Sequence, residues 1–135
     1  MFTDVTVLPI LVSAILAVAV GSIWYSPLLF GSIWMKSVGI SMENGVGERE
    51  MIVRAIQGVL AQSIFFFVLS QFILNSQSGG MSLTKIGVLL TAFIIAGIIN
   101  AIILEKKSVA YLLINAGYSA IIIFGGIGVI AFWPW

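Results

Sequence analysis

Four apolar stretches, at about 5–25, 51–74, 83–104 and 109–133, take up most of this sequence, and within them only Arg54 and Lys85 carry charge. The hydrocarbon core of a bilayer, about 30 Å thick, is crossed by a helix of about 20 mostly apolar residues. Each stretch is long enough to cross once. A hydrophobic content of 61%, a charged content of 8% and a mean hydropathy of +1.20 lie outside the range of soluble globular chains. The sequence therefore predicts an all-α integral membrane protein, a four-transmembrane-helix bundle forming a single domain over its 135 residues, with membrane lipids around it.

The charged residues exclude several functions. A net charge of +1, with six Lys and Arg scattered over loops and helix ends, offers no basic patch for nucleic acid. With no Cys and no His, the chain has no thiol redox chemistry, no disulfide, no zinc or haem ligand set and no imidazole base. The expectation is a protein that is not an enzyme and carries no cofactor. Ala17-Val18-Ala19 imitates a signal-peptidase site, but the segment before the apolar run holds Asp4 and no cation, so the first helix is expected to stay in the protein.

Ser13, Ala17 and Gly21 recur every four residues along the first stretch, a spacing of small residues that lets another helix approach closely. Ser26-Pro27 then reads as an N-cap followed by the first helical position, which predicts a short helix over about 27–38. Phe30, Ile33 and Trp34 fall on one side of it, and Ser32, Lys36 and Gly39 on the other. That pattern suits a helix lying in the membrane interface with its aromatic side in lipid, anchored by Trp24, Tyr25 and Trp34 at one end and matched by Trp133 and Trp135 at the chain's other end.

From Gly39 to Glu50 the glycine-rich polar sequence, with Asn44-Gly45, reads as a loop, after which Glu50 and Arg54 are spaced to pair on one helix face. Asn75 to Gly80 reads as a flexible connection, Ser82 as an N-cap, and Glu105 to Ser108 as a tight hairpin. Lys36, Arg49, Arg54, Lys106 and Lys107 fall on one side of the membrane and Lys85 on the other, so both termini are expected to be non-cytoplasmic in the cell membrane.

Two segments resemble a family of small bacterial membrane proteins classified only as a domain of unknown function, family seventeen-sixty-one. They are Gly21-Ser22-Ile23-Trp24-Tyr25-Ser26-Pro27-Leu28-Leu29-Phe30-Gly31-Ser32-Ile33-Trp34 and Leu113-Ile114-Asn115-Ala116-Gly117-Tyr118. The resemblance extends over almost the whole chain. It implies four helices and no established activity.

Helical rise places Asn100 and Asn115 within about 3 Å of each other in depth across the hairpin, so they are expected to face each other. Gln57 and Ser22 fall in the same inner-leaflet layer, bordered by Arg54 and Glu105. These amides read either as interhelical hydrogen bonds or as an inward-facing pocket for a polar solute or headgroup, with Gln62, Tyr118 and Ser119 on its wall. The outer half lacks polar residues over 64–69 and 120–132, so no helix carries the lining of a pore. Gly125-Gly126-Ile127-Gly128 lies inside an apolar helix with no strand before it and is read as a packing site, not a phosphate loop. Ser63 and Ser119 have no His or suitably spaced Lys to activate them.

Two main functional readings remain. One is a structural or accessory protein acting by helix packing, in a homo-oligomer or with subunits of a larger membrane complex. The other is a small oligomeric transporter of a polar solute or lipid, for which Glu105 is the single candidate coupling carboxylate and reads better as a solvated hairpin residue. A lipid-modifying enzyme would have only Glu43, Glu48 and Glu50, a charge run in a loop. The orientation is testable: reporter fusions at Gly45 and Trp135 should report cytoplasmic and non-cytoplasmic locations respectively, and a cytoplasmic signal at Trp135 would reverse the assignment.

Overall fold

The computed structural model describes residues 7–39 and 48–134, with backbone alone at 48, 50, 51, 54 and 76–79. The described residues form helices α1 (Val7–Trp24), α2 (Gly31–Val38), α3 (Glu48–Gly79), α4 (Leu83–Glu105) and α5 (Val109–Ala131), and no strand occurs among them. Four are long and apolar enough to cross a membrane: α1, the Ala55–Asn75 part of α3, α4 and α5. The chain is thus an all-helical bundle of four spans with a short fifth helix between the first two. The expected Asn44-Gly45 turn, the Glu50–Arg54 pair, the side chains of Glu43 and Glu48, and Trp135 lie outside the described residues.

Besides the start of α3 at Glu48, inside the stretch read as a loop, three boundaries differ from the sequence expectation. The short helix begins at Gly31, not Pro27, with 27–30 in turns. Here the main chain doubles back: the Leu29 and Gly31 amides donate to the Ser26 carbonyl at 3.1 and 2.9 Å, and the Phe30 amide to the Trp24 carbonyl at 3.1 Å. Ser26 stabilises this turn, its hydroxyl donating to the Ile23 carbonyl at 2.7 Å and accepting from the Leu28 amide at 3.3 Å. A Cβ at position 31 would run into the Tyr25 carbonyl, so the turn requires glycine there.

The second difference is that α3 continues through the polar segment from Asn75 to Gly79, with Asn75 donating to the Gln71 carbonyl at 2.7 Å. Polar residues do not end a helix by themselves, and α3 stops where Gly80 takes a φ of +74°. At 32 residues it is about 48 Å long, more than the hydrocarbon requires. The third difference is small: the last span ends at Ala131, leaving Trp133 in a bend beyond it.

The Ser82 cap matches the sequence reading, and the structure adds a second at Ser108, which the sequence placed only in the hairpin. Ser82 accepts from the Lys85 amide and Ser108 from the Tyr111 amide, each at 3.3 Å. Lys106 turns the α4–α5 connection with a φ of +54°. We call that side of the bundle the hairpin end.

Helix α1 packs most extensively on α3, and α4 on α5; α5 also touches α1, α2 and α3. The apolar core unites Ile10, Ala14 and Ala17 of α1, Phe66, Leu69 and Ile73 of α3, Ile86 of α4, and Ile123, Ile127 and Ile130 of α5. These positions lie toward the end of the bundle opposite the hairpin. The expected small-residue stripe is at a contact face: Ser13 and Ala17 are buried, and Gly21 abuts Tyr118.

Core packing is tightest where α5 meets α3. A Cβ at Gly126 would enter the ring of Phe66, which is 1% exposed and would have to shift. Gly126→Ala should therefore destabilise the bundle by about 1–3 kcal/mol, as overpacking of a filled core does. Gly125→Ala, which meets nothing within 4 Å, should be neutral. Thermal unfolding in detergent will compare them, and Phe66→Leu should partly restore the Gly126→Ala protein.

Candidate functional site

Some of the polar side chains of the hairpin end meet on one face of α5. Ile114, Asn115, Tyr118 and Ser119 are one, four and five positions apart, a spacing that keeps them on neighbouring lines of a helix. Opposite them come the last residue of α1 and the first of the turn, Trp24 and Tyr25. The Trp24 indole Nε1 donates to the Ile114 carbonyl at 3.0 Å, and the Tyr25 hydroxyl to Asn115 Oδ1 at 2.8 Å. Asn115 Nδ2 donates in turn to the Tyr111 carbonyl at 2.7 Å, so both ends of the amide are engaged. One turn further along, the Tyr118 hydroxyl reaches back to the Ala17 carbonyl at 2.9 Å. Three of these bonds join α1 and its turn to α5 and form a clasp.

The rings close around the bonds. Tyr25 meets Tyr118 edge-on at 5.3 Å and Trp34 of α2 edge-on at 5.4 Å, while Trp24 lies 4.6 Å from Phe30. Close approach needs small residues beneath: a Cβ at Gly21 would lie 3.0 Å from the Tyr118 hydroxyl, and one at Gly117 3.0 Å from the Trp24 ring. Of the side expected in lipid, Phe30 and Trp34 therefore pack on Trp24 and Tyr25, whereas Ile33 points outward. Trp24, Tyr25 and Trp34 are half-buried, and Ile33 on the same helix is 49% exposed. For Trp24 and Tyr25 the physical reason is that an indole or phenol satisfies its polar edge as well on a carbonyl or amide of α5 as on a lipid headgroup.

Chemically the clasp donates hydrogen bonds. The Trp34 Nε1 is buried without a hydrogen-bond partner among the described residues.

The other expected site residues are dispersed. Ser119 is buried and donates to the Asn115 carbonyl at 2.8 Å, a bond within its own helix. Gln62 is half-buried, and Gln57 and Asn100 are exposed. Asn100 and Asn115, expected to face each other, do not pair, because Tyr25 and the Tyr111 carbonyl occupy the Asn115 amide. Ser22 is also exposed and bonds the Val18 carbonyl of its own helix at 2.8 Å. Glu105 is 61% exposed and lies 4.0 Å from Lys107.

A groove of about 230 Å³ lies nearer the opposite end, between α1, α3 and α5, with Leu16, Ala17, Phe66, Ile121 and Gly125 among its walls and Ser13 at its edge. None of Gln57, Gln62, Asn100, Asn115, Tyr118 and Ser119 lines it. Its surface suits hydrocarbon, not a polar solute.

The sequence profile of a family described as "Protein of unknown function (DUF1761)" matches residues 8–131. Searches of the curated proteins and of the solved structures returned no match. The matched range contains the whole clasp and all four spans except Val7, the first residue of α1.

The Tyr25–Asn115 bond yields a measurable coupling. Tyr25→Phe and Asn115→Leu should each lower stability by about 0.6–2 kcal/mol, and the double variant by less than the sum. Asn100→Leu combined with Asn115→Leu should be additive in the monomer. Thermal unfolding cycles in detergent distinguish the two pairs, and an additive Tyr25–Asn115 cycle would show that this bond is absent.

Proposed function

For a chain that belongs to the DUF1761 family, whose description names no activity, we propose a structural or accessory role: the protein acts by helix packing within the membrane, as part of a homo-oligomer. The observation that carries this reading is the state of α4. Only 11% of its span is buried, against 28% for α1, 22% for α3 and 33% for α5. A bundle that needed four helices only to close its own core would cover them more evenly. Helix α4 instead rests on α5, touches α3 lightly, and leaves most of its circumference open.

The polar groups support the same reading. Trp24, Tyr25, Asn115 and Tyr118 are engaged in joining α1 to α5, which makes them stabilising elements. A transporter coupled to protons requires a carboxylate that titrates within the membrane, whereas Glu105 sits at the solvated hairpin beside Lys107. We also infer that the hairpin end faces the cytoplasm, on the asymmetry of Lys and Arg.

Purification in mild detergent followed by native mass spectrometry tests the proposal. The expected result is a defined multiple of the 14.5 kDa chain that persists on dilution to working concentrations. A single-chain species under every mild detergent, and likewise in lipid nanodiscs, would overturn it.

A further inference from the structure

We infer that α4 is the helix through which two copies of this chain meet, in a parallel pair that sets Asn100 of each copy against Asn100 of the partner subunit. The inference rests on the homo-oligomer reading and goes further by naming the surface and its geometry. Leu89, Phe93, Ala96, Asn100 and Ile103 are spaced four, three, four and three residues apart, the heptad seam of a left-handed helix pair. All five are exposed in the single chain, with Leu89 at 53%, Phe93 at 78% and Ile103 at 70%. The residues by which α4 joins its own core, Leu83, Ile86, Leu90 and Ile94, follow a different line along the helix. Thus α4 has one line of residues for its own bundle and a second, unoccupied line with the period of a partner helix.

Asn100 shows what should occupy it. Helix α4 has 23 residues, about 34 Å of length against about 30 Å of hydrocarbon, and Asn100 lies five residues before its end. That places the amide about 5 Å inside the hydrocarbon. It is exposed there and makes no hydrogen bond to another described residue. Lipid tails offer neither donor nor acceptor, so an amide at this position favours a partner that supplies both.

A second copy supplies both. Two copies inserted in the same orientation are related by a two-fold axis along the membrane normal, and every residue on a helix at that axis meets its own counterpart at the same depth. An amide carries a donor and an acceptor and can pair reciprocally with an identical amide. Asn at one inner position of a heptad seam favours a defined register and a pair over larger assemblies. Ala96, one turn before Asn100, lets the backbones come close enough for the amides to touch.

The absence of cysteine in the sequence makes the test direct. Ala96→Cys and Ile103→Cys, each the single cysteine of the full-length chain in native membranes, should form disulfide-linked dimers on mild oxidation. Ile64→Cys, on the 70% exposed face of α3, should not. Asn100→Leu should weaken the dimer about three- to twenty-fold, as loss of an interhelical hydrogen bond does, while Asn100→Gln should retain most of it. Oligomers that cross-link through Ile64→Cys and not through α4 would overturn this interface and leave the homo-oligomer reading standing. Loss of every oligomer in native mass spectrometry would overturn both. Cross-links from α4 to a chain of another mass would show that a different protein occupies the seam and overturn the second-copy assignment. A dimer unchanged by Asn100→Leu would remove the amide from the account.

Discussion

Hydrocarbon gives a polar side chain no solvent to fall back on, so a large polar group in a spanning helix is favoured by a partner in the protein or by reaching a membrane face, although the small hydroxyls of Ser13 and Thr91 are buried without one among the described residues. In this bundle the preference acts most strongly on α5. Its Asn115 and Tyr118 sit within the span, and the protein meets both with groups of α1 and its turn: the Tyr25 hydroxyl for the amide and the Ala17 carbonyl for the phenol. Satisfying them fixes the rotation of α5 about its axis and the height of α1 against it. Close packing of the glycine positions beneath the rings then follows.

The bundle thus has two different sources of cohesion along its length. Toward the end away from the hairpin, aliphatic side chains and Phe66 interlock around Gly126, where association depends on shape, since lipid tails are as apolar as the side chains they replace. Toward the hairpin end the same helices are joined by directed bonds and edge-on rings. Shape complementarity alone tolerates sliding by a fraction of a turn, whereas an indole bonded to one particular carbonyl does not. The clasp therefore supplies the register that an apolar core between α1 and α5 lacks.

This division also explains what could be read in the sequence. The spans and the Ser82 cap depend on local chemistry, and their positions were legible to within a few residues. Depth was legible too, because it follows from counting residues along a helix: Asn115 does lie at a level where an interhelical partner is available. Its partner was not, since azimuth around the helix is set by packing, and the structure turns Tyr25 toward Asn115 and leaves Asn100 outward. Trp24 and Tyr25 were ambiguous for a related reason, as an aromatic ring with a polar edge suits a headgroup and a buried amide equally well. The Gly31 start of α2 depends on carbonyls from before the turn, which no residue-by-residue preference for Ser-Pro reveals.

The contrast between the two asparagines carries the functional argument furthest. They lie at similar depth on neighbouring helices, and one is fully engaged inside the bundle while the other is directed away from it. If α4 served only to complete the fold, an aliphatic residue at position 100 would meet lipid at lower cost, as Phe93 and Ile103 do on the same side. A polar residue on a lipid-facing line is disfavoured in the isolated chain and favoured only where something else completes it. Under the proposed pairing the two amides serve different levels of organisation: Asn115 holds the chain to itself, and Asn100 would hold it to a neighbour.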